Sequence, residues 1–315
     1  MIKLAHDLYK DFEDDYFKII KVKINDGVKL FEIIDQISQG NQHWTIVNKD
    51  EFLKALIINP FSEQSRTAFP LLSDYYDYVV GDTKLNPFES YLDDLKKIFD
   101  YTNIIKSQEN NKSLRVRIVK ASAIEICPYC NRQYINVFEK QSGKGEIVIP
   151  QLDHFYPQSK YPLYALSLYN FVPSCASCNL GKNDKTNELI YPFTKNAKEE
   201  NQQPYFKIKS EDLDHLRGNV PPEIDYAFID SDKKNHADAL HHKNMYQNHS
   251  VFAQRLLQRQ RLYNPSYIAQ VKEFFPKLSD EEIREILFGF SGNLEELKHK
   301  PLSKLAHDIL DLNKK

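Results

Sequence analysis

Four cysteines, all between residues 127 and 178, stand in two pairs, Cys127-Pro-Tyr-Cys130 and Cys175-Ala-Ser-Cys178. A CxxC turn brings two thiolates to one ion, and four thiolates complete the tetrahedron that zinc prefers. In a reducing compartment such pairs point to metal rather than to disulfides. The expectation is a structural zinc on Cys127, Cys130, Cys175 and Cys178, with no open position for water and no chemical role. Between the pairs, QLDHFYPQSKYP sets Asp153 beside His154; Asn170 and Asn179 follow, the last directly after a cysteine. A neutral imidazole with a pKa near ~6.5 takes a proton from water readily. Carboxylate and amide oxygens suit a hard divalent ion such as Mg²⁺ or Mn²⁺. These residue types match what phosphodiester hydrolysis requires: an activated water, a clamp on the phosphate and stabilisation of the leaving oxygen. For Asp153 and His154 taken alone, a structural hydrogen-bonded pair is the competing reading.

Spacing sets conditions on the geometry. Neighbours on a regular strand point to opposite faces, so 153 and 154 can serve one phosphate only if the strand ends there, as Pro157 suggests. On a helix beginning near Cys178, Asn179 and Lys182 share a face, and Cys178 lies ~100° away from Asn179. One helix would then face zinc on one side and the second ion on the other.

Residues 119–193 resemble the HNH endonuclease motif on a ββα-metal fold, through LDHFYPQSKYP, LSLYNFVPSC and CNLGK. The Asp-His-x-x-Pro-Gln-Ser run and the spacing of the two asparagines are similar to the HNH domain of RNA-guided CRISPR nucleases. Among zinc-stapled members, CPYCNRQYI, QLDHFYPQSKYPLYALSLYNFVPSC and HKPLSKLAHDIL look most like the PtuB-type nucleases of Septu anti-phage defence, which also occur with some retrons. The resemblance implies an endonuclease in which His154 is the general base and Asp153 and Asn179 hold a catalytic Mg²⁺ or Mn²⁺. It implies that Asn170 fixes the His154 loop through side-chain hydrogen bonds. Lys182 is read either as a phosphate contact or as a solvated helix lysine. Implied partners are a nucleic-acid substrate, an ABC/SMC-like ATPase of the PtuA type, and a retron reverse transcriptase with its RNA and DNA. DNA is the favoured substrate, with RNA or tRNA left open. A zinc-stapled scaffold that binds nucleic acid or protein without turnover is the alternative.

The elements that must position these residues are mainly helical around a small ββα core. Length, 315 residues, suggests two or three units: a mostly helical region 1–118 that could bind a partner, a core 119–193, and a mainly helical region 194–315. FKIIKVKINDGVKLFEIIDQIS mixes strand and helix signals, and LRVRIVKASAIEI suits a strand or the start of a helix. QYINVFE and GEIVIPQL read as a hairpin around KQSGKG; LYNFVPSC reads as an extended piece ended by Pro173, and ASCNLGK starts a helix. KNAKEENQQP reads as a polar linker, and PLSKLAHDILDL as an amphipathic closing helix.

A net charge of −2 argues against a protein that coats nucleic acid, so any contact needs a local patch. Lys112, Arg115, Arg117, Lys120, Arg132, Lys140 and Lys144 offer one, with a solvated face as the plainer alternative. His236, His241, His242 and His249 have no metal-ligand spacing and are expected in ordinary core or surface roles. DFEDDY reads as a solvated acidic face, with a partner contact as the alternative. Without a signal peptide or a membrane-length apolar run, a soluble cytoplasmic protein is expected.

Overall fold

A computed structural model describes residues 1–24, 27–81, 85–105, 108–109, 112–139, 146–148, 150–185, 188–209 and 213–310. Helices dominate, and the strands described form two-stranded sheets. The mixed segment near the N-terminus resolves into two helices, Glu13–Lys23 and Gly27–Ser38, with no strand among its described residues. Alternation lost to the four-residue period: Tyr16, Ile20 and Ile24 are buried, while Val22, the residue a strand would have paired with them, is 79% exposed. Asn48 caps Lys49–Ile58 through its side chain, and Pro70 opens Pro70–Val79, where a missing N–H costs nothing.

Ser113 accepts a hydrogen bond from the Val116 amide and so starts a helix, Leu114–Ser122, where the sequence left strand and helix open. The expected boundary at 118/119 falls inside this helix. The hydrophobic core runs on without a break from the N-terminal helices into residues 152–172. Two buried bonds stitch the regions: Tyr16 Oη donates to the Leu166 carbonyl at 2.8 Å, and Ser167 Oγ to the Leu56 carbonyl at 2.7 Å. Aromatic side chains fill the seam, with Phe61, Tyr75, Tyr156 and Tyr164 meeting mostly edge to face. The N-terminal helices are thus the wall against which the 155–171 loop is set.

Val137–Glu139 pairs antiparallel with Glu146–Val148, as the hairpin reading expects; its turn, 140–145, lies outside the described residues. Gln151–His154 pairs antiparallel with Phe171–Ser174, placing Asp153 opposite Val172 and His154 opposite Phe171. Pro173 does not end that strand but sits within it, opposite Leu152. A two-stranded ribbon is all edge, and an edge tolerates a missing N–H. The helix Ala176–Lys182 follows directly and packs on Gln151–His154.

Farther on, the expected linker contains a helix, Ala197–Gln202, anchored because Asn201 exchanges two 2.8 Å bonds with the Lys3 backbone. Phe206–Lys209 pairs with Glu223–Tyr226, and Asp280–Phe288 starts with a capping box from Ser279 and Glu282. The closing helix Ser303–Leu310 buries Leu305, Ala306 and Leu310. It docks on the first cysteine pair through Asn131, whose backbone is left-handed (φ 49°). Asn131 Oδ1 accepts from the Lys304 amide at 2.8 Å, and its Nδ2 donates to the Leu297 carbonyl at 2.9 Å. Among the described residues no helix is long and apolar enough to cross a membrane.

Candidate metal centre and catalytic cleft

All four cysteines are buried, and their sulfurs lie within 4.8 Å of one another. Cys130 and Cys175, from different pairs, are 3.9 Å apart. A tetrahedron with metal–sulfur bonds of about 2.3 Å has edges of about 3.8 Å, so this group can hold a metal ion such as zinc. The pairs meet because the first lies between the Leu114–Ser122 helix and the hairpin, while the second begins the helix after Phe171–Ser174.

The Gln151–His154 strand ends at His154, which meets the condition set by the spacing. Asp153 is 5% exposed, yet both carboxylate oxygens are served. Tyr129 Oη donates to Oδ2 at 2.7 Å, and Lys182 Nζ to Oδ1 at 3.2 Å. Burial pushes this carboxyl up to about 6, against the pull of the Lys182 ammonium and the Tyr129 hydroxyl. Burial, then the Asp153 charge, likewise raises the Tyr129 phenol. Lys182 also donates to the His154 carbonyl at 2.7 Å and is 1% exposed. It is therefore neither a solvated helix lysine nor a lysine facing substrate. Spacing placed it on the helix face of Asn179, but that face turns inward by the third residue.

The His154 ring stands edge-on to Tyr101 and Phe171, with centroids 4.6 and 5.1 Å away. Its Nε2 lies 3.0 Å from the Ala165 carbonyl. A carbonyl only accepts, so Nε2 carries a proton, and in the neutral ring the lone pair is then on Nδ1. Asn170, fully buried, accepts from the Tyr156 amide at 2.8 Å and donates to the Tyr156 and Tyr164 carbonyls, each at 3.0 Å. Its own carbonyl accepts from the Phe155 amide at 2.9 Å. It thus ties down the chain immediately after His154.

Asn179 lies on the helix between Cys178, turned to the sulfur cluster, and the cleft. Its Nδ2 donates to Gln151 Oε1, so the amide oxygen is the atom not committed to Gln151. Asp153, His154 and Asn179 line one cleft of about 540 Å³, together with Tyr101, Arg115 and Asp184. An oxygen-only pair, Asp153 and Asn179, beside an imidazole suits a hard divalent ion. Each Asp153 oxygen keeps a second lone pair beyond the donor that it already has.

Tyr129 and Gln151 are the residues that sequence reasoning missed. Tyr129 lies between two cysteines, which hinted at its position but not at its direction. Of the expected basic patch, the three described arginines have separate surroundings. Arg117 pairs with Asp15 at 3.5 Å and covers the Phe12 ring, Arg132 Nε donates to His249 Nε2 at 2.9 Å, and Arg115 alone of these three lines the cleft. Lys140, Lys144 and the Lys112 side chain lie outside the described residues. DFEDDY is not merely solvated: Glu13 accepts from Tyr169 Oη at 2.9 Å, and Asp14 pairs with Lys54 at 2.7 Å. His236 and His242 are buried, and burial lowers both well below the usual imidazole range.

No protein-family model matches the chain, and no curated protein or solved structure matches it.

Proposed function

We propose that this chain is a metal-dependent HNH-type endonuclease that hydrolyses phosphodiester bonds of nucleic acid. The observation that carries the reading is the single cleft lined by Asp153, His154 and Asn179, from a strand end and the helix that follows its partner strand. That strand–strand–helix order is also what the ββα-metal resemblance requires. Zinc on the four cysteines would hold the two halves of the unit together.

In this reading His154 Nδ1 takes the proton of the attacking water, while the Ala165 carbonyl holds the ring at Nε2. The water oxygen bonds to phosphorus, the bond to the 3′-oxygen breaks, and that oxygen leaves with a proton, giving a 5′-phosphate and a 3′-hydroxyl. Asp153 and Asn179 would hold Mg²⁺ or Mn²⁺, which supplies Lewis-acid charge to the phosphate when bound. Asn170 keeps His154 in place. By resemblance, the protein acts in the cytoplasm as an effector of anti-phage defence under an ABC/SMC-like ATPase, in some settings beside a retron reverse transcriptase. DNA is the favoured substrate, with RNA or tRNA as the other class.

The buried Lys182–Asp153 pair favours a second reading, in which the acid is structural and the chain is a zinc-stapled scaffold. The two separate on incubation with plasmid, single strands and bulk tRNA, with Mg²⁺ or Mn²⁺, alone and with the ATPase. The nuclease reading expects cleavage that His154→Ala abolishes without loss of zinc. Binding without turnover under every condition supports the scaffold.

A further inference from the structure

With Lys182 committed beneath Asp153, the cleft needs another positive group to meet a phosphate. Among the described residues that line it, Arg115 is the only lysine or arginine. Its Nη2 donates to the Pro150 carbonyl, just before the strand that carries Asp153 and His154, so the guanidinium is anchored to the site's own framework. Its Nε is buried and meets no acceptor among the described residues. A buried donor left unmatched costs about 1–3 kcal/mol, and more when charged, unless something fills it. Asp153 does not fill it: the donors that meet its two oxygens are Tyr129 Oη and Lys182 Nζ. We infer that Arg115 binds a backbone phosphate of nucleic acid in the cleft, beside the reacting centre. A planar guanidinium presents two parallel N–H groups to a phosphate, which an ammonium cannot do. The inference rests on the nucleic-acid reading of the same cleft.

The test uses the full chain carrying His154→Ala, so that binding is read without cleavage. Anisotropy of a fluorescein-labelled DNA duplex, its single strand and the matching RNA is followed over a salt series at constant Mg²⁺. Arg115→Gln should weaken binding about tenfold to a hundredfold. It should also lower the slope of log Kd against log salt by about 0.9 on duplex or about 0.7 on single strands, the signature of one lost phosphate contact. Arg115→Lys should keep the slope while binding more weakly than arginine. Should Arg115→Gln lose zinc or melt early, Arg115→Met carries the same expectation. An unchanged slope in a folded, zinc-loaded variant overturns the inference, as does a chain that binds none of the three probes. The nuclease reading is judged separately: slope loss with a wild type that never cuts sinks that reading and leaves Arg115 standing, whereas cutting with no slope change does the reverse.

Discussion

The Tyr129 hydroxyl donates a 2.7 Å hydrogen bond to Oδ2 of Asp153. Tyr129 sits between Cys127 and Cys130, so the sulfur cluster and the cleft carboxylate are joined through one side chain. Both partners are buried, with Tyr129 fully so.

Tyr129→Phe keeps the ring and removes the donor. A hydrogen bond to a charged group contributes about 1.5–3 kcal/mol, so urea unfolding should show a loss of that order. Bound zinc should stay at the wild-type level, and cleavage should fall. Wild-type stability together with wild-type cleavage would show that the bond carries nothing.

Lys182 and Asp153 are 1% and 6% exposed at their side chains. Removing one partner of a buried pair costs about 3–5 kcal/mol, because the other charge is stranded. Lys182→Met should lose that much by denaturant titration. Lys182→Met with Asp153→Asn should lose clearly less than the two single variants added together. Additive losses would mean that the two groups do not depend on each other.

In the proposed reading, a thiolate-held zinc and an oxygen-held divalent ion separate by ligand chemistry. Cys175→Ser, or strong chelation that strips zinc, should collapse the near-UV circular dichroism of the core, and zinc should restore it in the wild type. EDTA at a level that spares the thiolate-held ion should stop cleavage with the spectrum intact. Loss of cleavage only when the spectrum collapses would argue against a second, oxygen-held ion.

Acid should destabilise the C-terminal region through buried histidines. Burial, helped by Lys304, lowers His307 to about 4, and His236 and His242 are also lowered. Unfolded histidine titrates near ~6.5. Below that pH the unfolded chain takes up protons that folded His307 refuses, so its contribution falls until about pH 4. The slope is at most about 1.4 kcal/mol per pH unit for each such histidine. Asp153 and Asp308, held above the usual carboxylate range, oppose the trend in the acid part of this window. His307→Gln should therefore flatten the fall in unfolding free energy between about pH 7 and about pH 5. Equal slopes in wild type and variant would remove the burial argument for His307.

The sulfur cluster and the residues brought to the cleft were legible because type and spacing carry them: two CxxC pairs for the first, an Asp-His step before a proline and an asparagine after a cysteine for the second. Depth was not legible. Lys182 could be placed on a helix face, but nothing in the spacing said that this face is covered. Tyr129 could be placed near the cysteines, but not aimed at Asp153. The Ala197–Gln202 helix reads as a polar linker because its anchor, Lys3, lies far off in the chain. Local pattern fails at Pro173 for a similar reason: whether a proline ends a strand depends on the neighbour the strand acquires.

The bond from the Lys304 amide to the Asn131 side chain joins residues 173 positions apart. Contacts at such separation form only after the intervening chain has paid the entropy of closing that loop. The turn that carries Cys127 and Cys130 thus gains this flanking contact only when the closing helix is seated. Unseating that helix would strip the contact from the Cys127–Cys130 turn and leave its thiolates more open to a competing ligand.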